Sequence, residues 1–265
     1  MIYLRGSNFA SRSCSRFNEL LSNIIMKQKT TYHPIAVPLP EKGRRIAIGD
    51  VHGCYYSLKA LLEEQVQFTA EDQLFLLGDY INRGDHSALA LDYIMELVAA
   101  GNTYALRGNH EQKLLMAFDC GFDFFEEFLE EFGSTDLLDE QMYRYLEFCS
   151  GLDYCIQSGD FLLSHCGFTQ GVPSPFTDLR EMFHGVDIVL DETLLKTCHS
   201  IHGHSTEAIA TIEKKVAERY KAICLDAGCA YEDNEDLGQL CALDLDSFQL
   251  YKQANVDYLH RKQEA

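Results

Sequence analysis

The chain has 265 residues, 46% of them hydrophobic, with 22 basic against 41 acidic residues and a formal net charge of -19. This length and apolar content suit one large domain, or a domain with an extension, and exclude wholesale disorder. The acidic balance argues against a nucleic-acid partner, because no basic surface stands ready to neutralise phosphates. Phosphorylated substrates stay open, since bound divalent cations reverse the local charge. The ten cysteines form no CxxC pair. They read as reduced cytosolic thiols, not as a disulfide framework or a zinc site, and the expected compartment is cytoplasmic. No apolar run approaches transmembrane length, so no membrane partner is expected.

Residues 1–43 read as an extension and lead-in. The first 25 hold Arg5, Arg12 and Arg16 against the single acid Glu19, with five serines. They fit either a transit-like segment or an extension upstream of a start at Met26. Pro34, Pro38 and Pro40 then oppose helix.

From Arg44 the pattern changes. Arg45-Ile46-Ala47-Ile48, Gln73-Leu74-Phe75-Leu76-Leu77 and Thr103-Tyr104-Ala105-Leu106 are short apolar runs bounded by glycine, which reads as buried strand. Helical spacing over Tyr56–Gln65 and Ser87–Ala100 fills the gaps, giving βαβαβ and a parallel core. A Phe-rich acidic helix is expected over Glu111–Phe132, as a core or cap element with a solvated face, and another over Asp139–Cys149. The second half turns to strands. Tyr154–Ser158 and Phe161–Ser164 flank Gly159-Asp160 as a hairpin. Ser200–His202 and Ala222–Leu225 follow, and Gln239–Leu245 pairs with Phe248–Lys252 across Asp246-Ser247.

The three parallel strands run into Gly49-Asp50-Val51-His52-Gly53, Gly78-Asp79-Tyr80-Ile81-Asn82-Arg83-Gly84 and Gly108-Asn109-His110-Glu111. Each delivers Asp, His or Asn to the C-terminal edge of the sheet, where open α/β sheets place their sites. Asp and His bind divalent metals, and the amide oxygen of Asn is a further hard ligand. Two more segments join them, His165-Cys166-Gly167 and Gly203-His204-Ser205.

In this order the five segments resemble the phosphoprotein-phosphatase branch of the calcineurin-like metallophosphoesterases. The likeness is to bacterial and phage-type protein serine/threonine phosphatases, and symmetrical diadenosine tetraphosphate hydrolases share the motifs. The resemblance implies an α/β fold, a layered sandwich of two mixed β-sheets flanked by helices, over residues 44–252, with 253–265 as a tail. It implies a dinuclear-metal phosphoesterase that hydrolyses phosphate monoesters by metal-activated hydroxide. Protein phosphoserine and phosphothreonine are the leading substrates, diadenosine polyphosphate the alternative, and a weakly catalytic phosphate-binding scaffold the second alternative.

Carried over residue by residue, the resemblance implies Asp50 and His52 on one metal and Asn109, His165 and His204 on the other, with Asp79 bridging. The ligand types suit Mn²⁺, with Fe or Zn²⁺ as options. His110 would protonate the leaving group, and Arg83 would grip phosphate. Arg180 resembles a second phosphate-binding arginine, although the tryptophan of the family's segment is absent. The family usually has Asp where this chain has Asn82. Asn82 is expected to orient His110 by accepting through its amide oxygen, while bringing no charge to favour the imidazolium. His202 is expected to lie near His204, and Asp226 to be a turn residue or a partner to a metal-binding histidine. Cys166 is read as packing.

Overall fold

The computed structural model describes residues 33–166 and 197–260. Two five-stranded mixed sheets lie at the centre. The first has the order β10–β9–β2–β3–β4, built from β2 (Arg45–Ile48), β3 (Gln73–Leu76), β4 (Thr103–Ala105), β9 (Gln239–Asp244) and β10 (Leu250–Ala254). Strands β2, β3 and β4 are parallel, and β9 and β10 are antiparallel additions to their β2 edge. The second has the order β1–β5–β6–β7–β8, from β1 (Ile35–Ala36), β5 (Cys155–Ser158), β6 (Phe161–Ser164), β7 (His199–His202) and β8 (Ala222–Cys224). Here β6, β7 and β8 run parallel. The expected sandwich of two mixed sheets is therefore the fold observed.

The two-residue period of the strands sorts the core into two layers. Ile46, Ile48, Leu74, Leu76, Leu240 and Ala242 face a helical layer. Their neighbours Ala47, Phe75, Leu77, Cys241 and Leu243 join Ile156, Phe161, Leu163, Ile201 and Ile223 of the second sheet. Phe75 is fully buried there and stacks on Tyr104 at 5.4 Å. Phe75→Ala is expected to cost about 3–5 kcal/mol through lost burial and an unfilled cavity. Denaturant midpoints measure this, and a cost under about 1 kcal/mol would mean that the sheets close over the gap.

The helical layer holds α1 (Tyr55–Ala60), α2 (Ser87–Ala100), α3 (Asn109–Asp119), α4 (Phe122–Phe132) and α5 (Met142–Gly151), while α6 (Ile209–Ala217) crosses from β7 to β8. Helix α2 has the expected bounds. The expected Tyr56–Gln65 helix is α1 followed by a wider π-type turn over Leu61–Val66, ended by left-handed Gln67 (φ 51°). The single Phe-rich helix is two, because Gly121 at φ 109° breaks the chain between α3 and α4. Phe125 and Phe128 of α4 are core, as expected. Helix α5 begins three residues later than expected, after the Asp139 carboxylate has taken the Gln141 N–H in a turn. Helix α6 was not anticipated from the sequence.

The folded body passes the expected 44–252 limits at both ends. Strand β1, inside the supposed lead-in, pairs with β5 through Ile35↔Ile156. Strand β10 continues to Ala254, because Asp244 ties the backbone N–H groups of Asp246 and Ser247 into a longer turn with Phe248 at φ 61°. Buried Asp257 then accepts from the Tyr56 N–H, the Ser57 N–H and the Ser57 hydroxyl. It satisfies donors of the first turn of α1 that have no partner within the helix. The nine described cysteines are free thiols. No described helix is long and apolar enough to cross a membrane.

Candidate metal centre and active site

Because β2, β3 and β4 are parallel, the loops that follow them emerge on one edge, and the loops after β6 and β7 meet them there. Glycine makes the approach possible. A Cβ on Gly203 would collide with Asp50 Oδ1, and one on Gly108 would collide with Asp79 Oδ1. His52, Asp79, Asn82, Arg83 and His204 all have positive φ, between 48° and 75°. Non-glycine residues adopt this region at a cost of about 1–3 kcal/mol each, and such strain gathers at functional sites.

Asp79 is the hub. Its carboxylate lies 3.3 Å from His165 Nε2, 3.7 Å from His52 Nε2 and 3.9 Å from His110 Nε2, and it accepts the His110 backbone N–H at 2.9 Å. Asp50 lies 3.9 Å from His52 Nε2 and accepts the His204 backbone N–H at 3.1 Å. His52 donates from Nδ1 to the Ile81 carbonyl, and His165 donates from Nδ1 to the Leu77 carbonyl. Those bonds turn the Nε2 of each ring toward the cluster, the arrangement of metal-binding histidines; on His165 that nitrogen keeps a proton until a cation displaces it. The structure thus brings together Asp50, His52, Asp79, Asn109, His110, His165 and His204. Arg180 lies outside the described residues.

Divalent cations fit this cluster. His52 Nε2 is buried without a hydrogen-bond partner. The Asn109 Oδ1 faces His165 Nε2 at 3.0 Å and His204 Nδ1 at 3.1 Å. Rotating that amide would let its NH₂ donate to both rings and to Asp79 at 2.9 Å, with its oxygen on Lys113 Nζ at 3.0 Å. That orientation satisfies the hydrogen bonds without a cation. With the rings deprotonated, the orientation with oxygen inward turns acceptors on one another, and it is the stable one when a cation lies among them. A cation there would also satisfy His52 Nε2, the buried acceptor left without a partner.

The electrostatics agree. Burial, then repulsion from Asp226, pushes the Asp50 carboxyl well above its usual range. Burial also pushes Asp79 up, but His165, His110 and His52 outweigh it and hold Asp79 well below. Burial lowers His165, yet Asp79, Asp50 and Glu111 bring it up to about 9. Burial lowers His110 well below the ordinary imidazole value, against the pull of Asp79. Acidic groups so crowded find their simplest relief in added positive charge.

One expectation is corrected. Asn82 presents its amide nitrogen, not its oxygen, to His110 Nδ1, at 2.8 Å. Its oxygen accepts from the Ser134 hydroxyl at 2.6 Å. Ser134 lies 2.9 Å from the Ser87 hydroxyl, which accepts the Asn82 backbone N–H at 3.0 Å. Ordered this way, Ser87 donates to Ser134, Ser134 to Asn82 and Asn82 to His110, so each hydroxyl proton has an acceptor. His110 is then neutral, with its proton on Nε2 toward Asp79.

Other partners were missed. Fully buried Glu111 accepts the N–H groups of Asp79, Tyr80 and Gly108, which fastens the Asp79 loop to the Asn109 loop. Its position as the third residue of α3 after Gly108 was the available signal. Ser87 and Ser134 carried none. Asp226 proves to hold the Thr206 hydroxyl and the Gly228 N–H, and buried His202 bonds to the Gly203 carbonyl. Cys166 Sγ lies within 4.8 Å of the nearest ligand nitrogens of His165 and His204.

A family model described as calcineurin-like phosphoesterase matches residues 43–224. A symmetrical bis(5'-nucleosyl)-tetraphosphatase of Dechloromonas aromatica is 35% identical over 150 residues, 54% of this chain and 50% of that protein. The one from Thioalkalivibrio sulfidiphilus is 49% identical over 70 residues, 26% of this chain and 25% of that protein. The chain thus spans about half or less of the length of these relatives. Among solved structures, a putative diadenosine tetraphosphatase aligns with TM-score 0.54 and 21% identity, over 84% of this chain and 99% of that one. A Saccharomyces cerevisiae serine/threonine phosphatase with similarity to human PP5 aligns with TM-score 0.56 and 13% identity, over 91% and 89%. At those identities the structures speak for the fold alone. The family model covers more than half of the sequence and takes in all five loops, so this chain belongs to the calcineurin-like phosphoesterases.

Proposed function

We propose that the chain hydrolyses dinucleoside polyphosphates at a dinuclear metal centre. The supporting observation is the 35% identity over 150 residues to a symmetrical bis(5'-nucleosyl)-tetraphosphatase. It favours this reading over phosphoserine or phosphothreonine, for which the support is a likeness of fold at 13% identity.

Asp50, His52 and Asp79 are assigned to one cation, and Asp79, Asn109, His165 and His204 to the other; Mn²⁺ suits this set, as do Fe and Zn²⁺. When bound, such a pair supplies an activated water and neutralises phosphate charge. The chain's own residues do the rest. Arg83, exposed at the rim with its backbone fixed by the Phe132 carbonyl, offers a fork of donors to a phosphate. His110 holds its proton on Nε2 at the edge of the cluster, 3.9 Å from Asp79. Glu111 holds the loops of Asp79 and Asn109 at one separation.

The Asn82–His110 pairing suits an anhydride. A neutral imidazole is a feeble acid, and a serine-like alkoxide leaves poorly without a proton. A departing nucleotide phosphate, whose second pKa is about 6, leaves as an anion with no such need.

The test is steady-state hydrolysis by the Mn²⁺-loaded chain, comparing kcat/KM for diadenosine tetraphosphate and a phosphothreonine peptide. The nucleotide is expected to be preferred. Preference for the peptide would return the chain to the protein phosphatases. Turnover of neither, with metal bound, would leave a phosphate-binding scaffold.

A further inference from the structure

An exposed aromatic ring stands beside the candidate phosphate-binding arginine. Tyr231 is 43% exposed, and the Arg83 guanidinium lies 5.4 Å from its ring centroid. That spacing is within cation–π range. Among the described residues the exposed aromatics are Phe122, Tyr143, Tyr220, Tyr231 and Tyr258. Of these, Tyr231 is the one set against a residue of the active site.

The ring is held in place. The Tyr231 N–H donates to the Gly228 carbonyl at 2.9 Å, and that carbonyl also accepts from Gly238. Gly228 has φ 63°, and a Cβ there would meet Tyr231 Cδ2 and Thr206 Cγ2, each at 2.8 Å. Tyr231 therefore rests on a glycine that adjoins the His204 loop. Asp226 ties the two loops by accepting from Thr206 Oγ1 at 2.7 Å and the Gly228 N–H at 2.8 Å. The result is a fixed planar face beside a phosphate-binding cation at the edge of the metal cluster.

We infer that Tyr231 is the surface on which a nucleobase of the substrate stacks, with Arg83 reaching from that ring to the adjoining phosphate. This rests on the dinucleoside reading and adds to it a residue that recognises the base. Base–aromatic stacking tolerates any base, because each has a π face. The site would then select for nucleotides over bare phosphate chains without selecting strongly among nucleotides. A rival role has Tyr231 only steadying Arg83. It predicts equal losses on every phosphate substrate, so the two are separable.

The experiment uses the full, metal-loaded chain and compares diadenosine tetraphosphate with inorganic tetraphosphate, which lacks bases. Tyr231→Ala is expected to reduce kcat/KM for the nucleotide about tenfold more than for tetraphosphate, mainly through KM, while Tyr231→Phe restores the ratio. The chain contains no tryptophan. Tyr231→Trp therefore gives a single reporter, whose fluorescence should be quenched saturably by ADP without turnover. Equal losses on both substrates, or ADP inhibition without quenching, would overturn the stacking role. If the unaltered chain cleaves a phosphothreonine peptide and not diadenosine tetraphosphate, the substrate reading itself fails, whatever Tyr231→Trp reports.

Discussion

Asp79→Asn is expected to lower kcat by about a thousandfold or more and to reduce the metal content of the purified protein. Among the described residues Asp79 alone reaches His52, His165 and His110, and it is the group assigned to both cations. The amide is isosteric, and its oxygen can still accept the His110 N–H, so the loop geometry should survive. What disappears is the negative charge. Metal ions at such sites stabilise transition-state charge by several kcal/mol, and each 1.4 kcal/mol is about tenfold in rate. Elemental analysis and kcat on the same preparation check this. An unchanged metal content with kcat within about tenfold of the parent would remove Asp79 from the centre.

Asn82→Asp is expected to act in the opposite direction, and selectively. A carboxylate in place of the amide would accept from Ser134 as Asn82 Oδ1 does, and also from a proton on His110 Nδ1. Burial now holds the His110 imidazole well below its usual pKa, so at neutral pH it is uncharged. An adjacent negative charge raises that pKa. The sign follows. The acid form would persist to higher pH, and activity toward an aliphatic phosphomonoester would rise, then fall as pH climbs through the raised pKa. A gain of about tenfold is expected there, a modest share of what a general acid supplies. Diadenosine tetraphosphate, with its better leaving group, should gain less than about twofold. Equal gains on both substrates, or an unmoved pH profile, would show that His110 protonation does not limit the reaction.

The gathering of the candidate ligands was legible in the sequence because each follows an apolar run with glycine beside it. The sheet edge then does the gathering, and Asp50, Asp79 and Asn109 needed no long-range knowledge. The orientation of Asn82 was not legible. It depends on Ser134, 52 residues away, and on which way a chain of hydroxyls donates. The cap of α1 was hidden for the same reason, since Asp257 comes from 200 residues later. Helix α6 did leave a signal, because Ile209, Ile212 and Val216 recur at helical spacing, but its nine residues are few for a periodic pattern to stand out. Gly121 marks the break between α3 and α4, yet phenylalanines at helical spacing on both sides concealed it.

The order in which the chain is made sets the order in which this centre can form. Asp50, His52, Asp79 and Asn109 are available once the β2–β3–β4 unit exists, and that unit is built from neighbouring segments. His165 and His204 arrive with a second sheet. The strand that covers the β2 edge comes later still, pairing Ala47 with Leu243. A nascent chain leaving the ribosome from its N-terminus therefore carries four of the six assigned ligands beside an open strand edge through much of its synthesis. Non-local strand pairing is slow, and open edges recruit other strands. Assembly of the full set of candidate ligands and cover for the open edge both wait on residues 199–244.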